Sequence, residues 1–359
     1  MKKIFISGTF LSGKQTLLYL LDSHQEIISN FIHDQLISFV IDLNLKIKNN
    51  IKIKKKLNDR LNLDTIEIIN NQNQKTKITF DDFSNSLKKS NIQHLERLSL
   101  LKIMPNYFSA IEKNYLSFDF NFEKFKENIK TEIFLSEKKI YQIEEIFDIF
   151  NKNFISNWKN INFQKKNLIN INFATKLPNN INSIKFVLDE KFNSKIIYVD
   201  RDLLSILKSR TLDTINKRDL SLEKFDLHFN NQLRTNFIER VNFMKKEIYK
   251  IKNTNKNVYI TSLEKLTKDT SNEIIKINDF LMLPKFISKI KPTYCNNDIG
   301  MKHIGKINDD EFKISNKNYI FYLFRTKNFY KILNLLLKNP NYFHLFLISL
   351  YLRFKYKKN

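Results

Sequence analysis

The residues best placed to do chemistry come within the first sixteen positions. Gly8, Gly13 and Lys14, in the stretch "GTFLSGK", have the G-x-x-x-x-G-K spacing in which glycine backbone closes around an anion and a lysine adds a mobile positive charge. The chain has only four glycines in 359 residues, and two of them fall at this spacing. Gln15 stands where a nucleotide hydrolase would place a Ser or Thr on its magnesium, so the pattern indicates anion binding but argues against a metal-dependent triphosphate site. The alternative is an ordinary strand-to-helix turn carrying a solvated lysine.

Such a loop works only between a buried strand and a helix start, and the flanking residues supply both. Residues 3–7 read as a short buried strand, 8–14 as the loop, and 15–23 as a helix with Leu17, Leu18, Leu20 and Leu21 on its inner side. A second strand is expected over Ile27–Ile32, ending at His33 and Asp34. From about 40 to 165 the chain reads as a long polar-helical region. "SLKKSNIQHLERLSLLKI" and "EKKIYQIEEIFDIFNKNF" carry apolar residues at three- and four-residue intervals, while 48–79 leaves room for short β character. Strand and helix then alternate. "INFAT" (171–175), "KIIYV" (195–199) and "NVYIT" (257–261) are strands, the second a continuous apolar run of the kind buried on both faces of a parallel sheet; "RDLLSILKSRTLD" and "SNEIIKINDFLML" (271–283) are helices. The segment from 317 onward is aromatic-rich and ends in basic residues, and Asn339-Pro340 divides it into two helical pieces.

Bulk composition limits the function classes. A 42% hydrophobic content with 32 phenylalanines argues for a packed core despite the charge. The net charge of +24 would point to a polyanionic partner, but lysine is spread along the whole chain beside abundant Asn and Ile, so compositional bias accounts for much of it. Cys295 is the single cysteine, which excludes an internal disulfide or a cysteine metal cluster and suits a reducing compartment. "KKIFI" is too short to be a signal-peptide core, and no apolar stretch reaches the roughly 20 residues of a membrane span. A cytoplasmic location is expected. The tail is assigned either to packing on the domain or to peripheral contact with the inner face of the membrane.

Three separated stretches together resemble the sulfotransferases that use 3′-phosphoadenosine 5′-phosphosulfate (PAPS). "SGKQTLLYLLDSHQEI" (12–27) is similar to the family's S-G-T-T-L-L-x-x-L-L-D-x-H-P loop and helix. "ATKLPNNINSIKFVLDEKFNSKIIYVDRD" (174–202) is similar to its Lys-x-Pro segment, and "RDLLSILKSR" (201–210) to its R-D-P-x-x-x-x-x-S motif, with Arg201 and Ser209 in register. Lys14 and Gln15 replace the usual hydroxyl residues; Gln25 and Leu203 replace prolines.

The resemblance implies a three-layer α/β/α sandwich with a mainly parallel sheet, related to P-loop nucleotide kinases. Its domain would run from 1 to 316, with the 40–165 insertion walling the acceptor cleft and a helical extension over 317–359. It implies a donor site made by Ser12, Gly13, Lys14, Gln15 and Thr16 around the 5′-phosphosulfate and by Arg201 and Ser209 around the 3′-phosphate, with no metal. Lys14 would stabilise the leaving oxygen, Lys176 would contact the sulfuryl group or the acceptor, and Asp34, with His33 as its rival, would be the general base. His24 closes the first helix. A glycan or related hydroxyl acceptor and no specific nucleic acid are expected. The competing readings are a kinase-like nucleotide enzyme and a non-enzymatic basic protein that binds membrane or nucleic acid.

Overall fold

The computed structural model describes residues 3–9, 11–22, 24, 26–29, 37, 40–44, 65–70, 72–85, 119–120, 122–156, 158–159, 172–177, 180–189, 192, 194–217, 220–284 and 314–338, with 343, 344, 347 and 351. His33, Asp34 and the segment "SLKKSNIQHLERLSLLKI" lie outside these residues.

The chain is an α/β protein built on a five-stranded, wholly parallel sheet of order β10-β9-β1-β8-β2. Its strands are β1 (Lys3–Gly8), β2 (Ile27–Ser29), β8 (Asn172–Lys176), β9 (Ser194–Asp200) and β10 (Val258–Ser262). Two of the central strands, β1 and β9, are buried on both faces. Ile4, Phe5 and Ile6 of β1 and Ile196, Ile197, Tyr198 and Val199 of β9 are inaccessible, as expected of strands covered by helices on either side.

Crossover handedness sets the layers. Helix α1 (Lys14–Asp22) carries β1 past β8 to β2, whereas α4 (Ile181–Asp189) carries β8 back past β1 to β9. The crossover from β9 to β10 moves in the same direction as α4 and contains α5 (Leu203–Lys217), α6 (Phe225–Leu233) and α7 (Phe237–Thr254). Right-handed crossovers that run in opposite directions lie on opposite faces, which gives the three layers.

The described part of the 40–165 region holds strands as well as the expected helices. It holds a second sheet of order β4-β3-β6, made of the antiparallel pair β3 (Thr65–Ile69) and β4 (Lys75–Thr79) and the parallel edge strand β6 (Ile140–Gln142). A two-stranded pair, β5 (Asp119–Phe120) with β7 (Trp158–Lys159), is the other β structure among the described residues there. Thus "IYQ" near the start of the expected helix is a strand, and α3 (Ile143–Ser156) takes only the part that follows it. Helix α2 (Phe122–Ile129) adds Phe125 and Ile129 to the main core, and α3 joins this unit to that core through an aromatic chain. Phe147 stacks on Phe5 at 5.8 Å between ring centroids, and Phe150 stacks on Phe83 at 5.0 Å.

After β10 come α8 (Leu263–Lys268) and α9 (Thr270–Leu281), then α10 (Asn316–Arg325) and α11 (Phe329–Lys338). The tail has a break ahead of the expected division at Asn339-Pro340, two positions that lie outside the described residues just after α11 ends at Lys338. Lys327 turns through φ +57°, and Asn328 N–H donates to the Leu323 carbonyl, so α10 ends in a Schellman cap. Ile320, Tyr322, Leu323 and Phe324 of α10 and Ile332 of α11 share a second apolar cluster with Leu203, Ile206 and Leu207 of α5 and with Phe225 and Phe229 of α6. Residues 316–338 therefore pack on the domain.

Candidate functional site

Parallel sheets place their loops and helix starts together at the carboxyl ends of the strands. Ligands enter where neighbouring strands send their following helices to opposite faces. Here that point lies between β1, followed by α1, and β9, followed by the opposite crossover. The two strands pair as Ser7↔Tyr198 and Gly8↔Val199, so the loop after Gly8 and the segment after Asp200 leave the sheet side by side.

The loop is shaped by its glycines. Gly8 has φ +154°, and a Cβ added there would lie 2.6 Å from the Val199 carbonyl and 2.4 Å from Ser12 Oγ. Gly13 has φ +94°, and its Cβ would strike Leu263 Cδ1 at 2.6 Å. Between them Leu11 is held at φ +58°, an unfavourable setting for a branched-chain residue. Lys14 folds back over the loop, and its Nζ donates to the carbonyls of Gly8 and Thr9, each at 3.2 Å. The first α1 bond runs from Leu17 N–H to the Gly13 carbonyl at 3.1 Å, so the N–H groups that precede it in the first turn, which includes Gln15 and Thr16, have no intrahelical acceptor.

Arg201 meets this loop from β9. It is only 6% exposed, and its Nη1 donates to the Leu11 carbonyl at 2.8 Å, across 190 residues of chain. A guanidinium has five N–H donors in a fixed fork, so this bond anchors the head while leaving directed donors for a ligand. Burial pushes its pKa down, opposed by Glu264 and Asp202. The flanking carboxylates have structural partners. Asp200 accepts the Arg201 N–H at 2.8 Å and pairs with Lys245 at 2.7 Å, and the same Lys245 Nζ donates to the Arg201 carbonyl at 2.7 Å. Asp202 accepts the Ser205 N–H at 2.9 Å and caps α5. Burial, with Asp200 and Tyr249 assisting, pushes the Tyr198 phenol up, so it remains protonated beneath this edge.

Three hydroxyls at this edge, Ser7 Oγ, Thr9 Oγ1 and Ser12 Oγ, are buried and have no hydrogen-bond partner among the described residues. Buried polar groups are ordinarily satisfied, so an unmatched cluster beside a glycine loop and a buried arginine fits an anionic ligand with several acceptor oxygens.

The other sequence-derived residues fall as follows. Lys176 ends β8, its backbone paired with Ile6 of β1, and Leu177 N–H donates to the Ile6 carbonyl at 2.8 Å; this puts position 176 at the same sheet edge, one strand from the loop. Ser209 lies half-buried within α5, and no hydrogen bond between it and the loop is present among the described residues. His24 is buried and structural. Its Nδ1 accepts the Glu26 N–H at 3.0 Å, leaving Nε2 to donate to the Pro284 carbonyl at 3.3 Å. Sequence reasoning passed over Thr9 and Lys245. Thr9 is visible as a second hydroxyl within the loop. Lys245 carries no local signal, since its role depends on Asp200 and Arg201, 44 and more residues away. Among the described residues no group of three or more His, Cys, Asp or Glu could hold a metal ion.

No family model matches the chain, and no curated protein does. Among solved structures, it is similar to the sulfotransferase STF9 from Mycobacterium avium, at 10% identity over 88% of this chain and 70% of that one, with a TM-score of 0.37. It is also similar to retinol dehydratase in complex with androsterone and the inactive cofactor PAP, at 12% identity over 89% and 69% of the two chains, with a TM-score of 0.28. The fold assignment rests on the strand order and loop geometry of the chain itself.

Proposed function

We propose that the chain is a sulfotransferase that moves the sulfuryl group of PAPS to a hydroxyl or amine of a carbohydrate or related acceptor. The observation that carries this reading is the bond from Arg201 to the Leu11 carbonyl, which brings a buried guanidinium and the Gly8–Lys14 loop to one sheet edge. A donor with a phosphosulfate at one end of its ribose and a phosphate at the other needs two cationic grips on a shared cleft. Ser12, Gly13, Lys14, Gln15 and Thr16 supply the first through backbone, hydroxyl and ammonium groups; Arg201, with Ser209, supplies the second.

In the reaction the acceptor atom forms a bond to sulfur as the bond from sulfur to the bridging phosphate oxygen breaks in line. The acceptor's proton passes to a base, Asp34 or His33, and Lys14 leaves the Gly8 and Thr9 carbonyls to meet the charge that develops on the departing oxygen. Lys176 is assigned to the sulfuryl group or the acceptor. The loop's part requires no magnesium, which suits the glutamine at position 15. The insertion walls the acceptor side, and the lysine-rich composition favours an anionic glycan.

Calorimetry with adenosine 3′,5′-bisphosphate and ADP, each with and without magnesium, tests the proposal. Tighter, metal-independent binding of the bisphosphate is expected, weakened at least about tenfold by Arg201→Ala and less by Arg201→Lys, with thermal unfolding measured in parallel. Equal or tighter binding of ADP with magnesium would overturn the donor assignment in favour of a kinase-like enzyme. Salt-sensitive binding of polyanions indifferent to Arg201→Ala would leave only the non-enzymatic reading.

A further inference from the structure

We infer that α11 is a docking surface for an anionic lipid bilayer. This inference is independent of the sulfotransfer proposal. The helix is apolar on two sides. Ile332 is 2% exposed, and with Leu335 and Leu336 it seats α11 against the cluster formed by α5, α6 and α10. On the other side Tyr330, Leu333 and Leu337 are 75%, 57% and 73% exposed. Their i, i+3, i+7 spacing puts them on one stripe, and helical periodicity puts Lys331 and Lys338, both exposed, along one margin of it. A domain that has already buried one side of a helix has no packing reason for three large apolar side chains on the other, and a contiguous exposed stripe of this kind marks an interaction surface.

Charge selects the partner. After Glu311 the sequence has no Asp or Glu through Asn359, while Arg353, Lys355, Lys357 and Lys358 follow the helix. An apolar stripe rimmed by lysines, in a basic segment without acidic residues, is complementary to a surface that is apolar within and anionic at its boundary. The Leu and Tyr side chains enter the acyl boundary, and the lysine stems extend to the headgroups. A nucleic acid would satisfy the charge but not the leucines. No helix among the described residues is long and apolar enough to cross a membrane, so the contact is one of a surface helix lying in the interface.

Flotation of the full chain with phosphatidylcholine vesicles, with and without phosphatidylglycerol, tests this. Binding to the anionic vesicles alone is expected. It should weaken about tenfold or more in the pair Leu333→Ser and Leu337→Ser, and separately in Tyr330→Ser, and Lys331→Glu with Lys338→Glu should abolish the lipid selectivity. Thermal unfolding and calorimetry with the bisphosphate accompany each variant, so that misfolding is recognised and loss of membrane contact is distinguished from loss of the donor site. Failure to float, or flotation unchanged in a folded Tyr330→Ser protein, would overturn the inference. So would a dimer in solution that the leucine substitutions dissociate, or polyanion binding that ignores them.

Discussion

The loop after β1 and the ends of α9 and α10 solve the same backbone problem with different residues. All three turn through positive φ. At the helix ends the turning residues are Met282 and Lys327, both at φ +57°, and each helix closes with a Schellman bond, Leu283 N–H to the Asn278 carbonyl at 3.0 Å and Asn328 N–H to the Leu323 carbonyl at 2.9 Å. Glycine is the usual choice there, yet neither position has it. In the loop, Gly8 and Gly13 stand at φ +154° and +94°, with neighbouring atoms inside the space that a Cβ would occupy. A chain of four glycines accepts the moderate strain of side chains in the left-handed region at its helix ends. It keeps glycine where the backbone must lie against Val199 and Leu263. Glycine here therefore marks close approach of the loop to the protein around it.

The strongest way to break that comparison is Gly8→Ala. The added methyl group meets a backbone carbonyl that belongs to the neighbouring strand and cannot rotate away, and φ +154° is itself costly for alanine. A loss of about 2–4 kcal/mol in unfolding free energy is expected, with bisphosphate binding no longer detectable by calorimetry. An alanine variant of native stability and undiminished binding would show that the loop has room to spare and that its glycines are incidental.

Ser12→Ala separates fold from ligand within the same loop. Ser12 Oγ is buried without a partner among the described residues, so its removal should leave the ligand-free protein as stable or more stable, by up to about 1 kcal/mol in urea unfolding. Bisphosphate affinity should fall about tenfold if the hydroxyl donates to a charged phosphate oxygen. The reverse result, lower stability with affinity intact, would make the serine a structural residue and detach these hydroxyls from the proposed donor site.

What the sequence disclosed follows the same division between local and distant causes. The β1 loop was legible because spacing, glycine scarcity and the flanking strand and helix lie within twenty residues. β9 was legible because burial on both faces leaves an unbroken apolar run, Ile196 to Val199. The β3 strand shows a two-residue alternation, with Ile66 and Ile68 buried and Thr65, Glu67 and Ile69 partly open, but five residues are too few for it to stand out within the 48–79 stretch. β6 was hidden. Its three residues contain one buried side chain, Tyr141, and only pairing with β3, some 70 residues earlier, makes them a strand. The tail break at Lys327 was missed for the reason developed above: a lysine in a position usually marked by glycine gives no local signal. Arg201 was found through a motif, whereas its contact with Leu11 and its support by Lys245 are tertiary facts with no local trace.

The smallest expected effect is the most direct test of how the chain uses glycine. If Met282 and Lys327 occupy left-handed positions only at a cost, Met282→Gly and Lys327→Gly should each raise stability slightly. Relief of the Cβ strain is worth about 1–2 kcal/mol, and the greater freedom of glycine in the unfolded chain takes back about half of that, for a net gain of about 0.5–1 kcal/mol. Neither substitution touches the loop, so bisphosphate affinity should not change. The two caps lie in different clusters, and their effects should add in the double variant. If instead either glycine variant melts earlier, the native side chain at that cap contributes packing that outweighs its backbone strain. Scarcity of glycine at the helix ends would then reflect selection for those side chains, and the contrast with Gly8 and Gly13 would rest on the Cβ clashes alone.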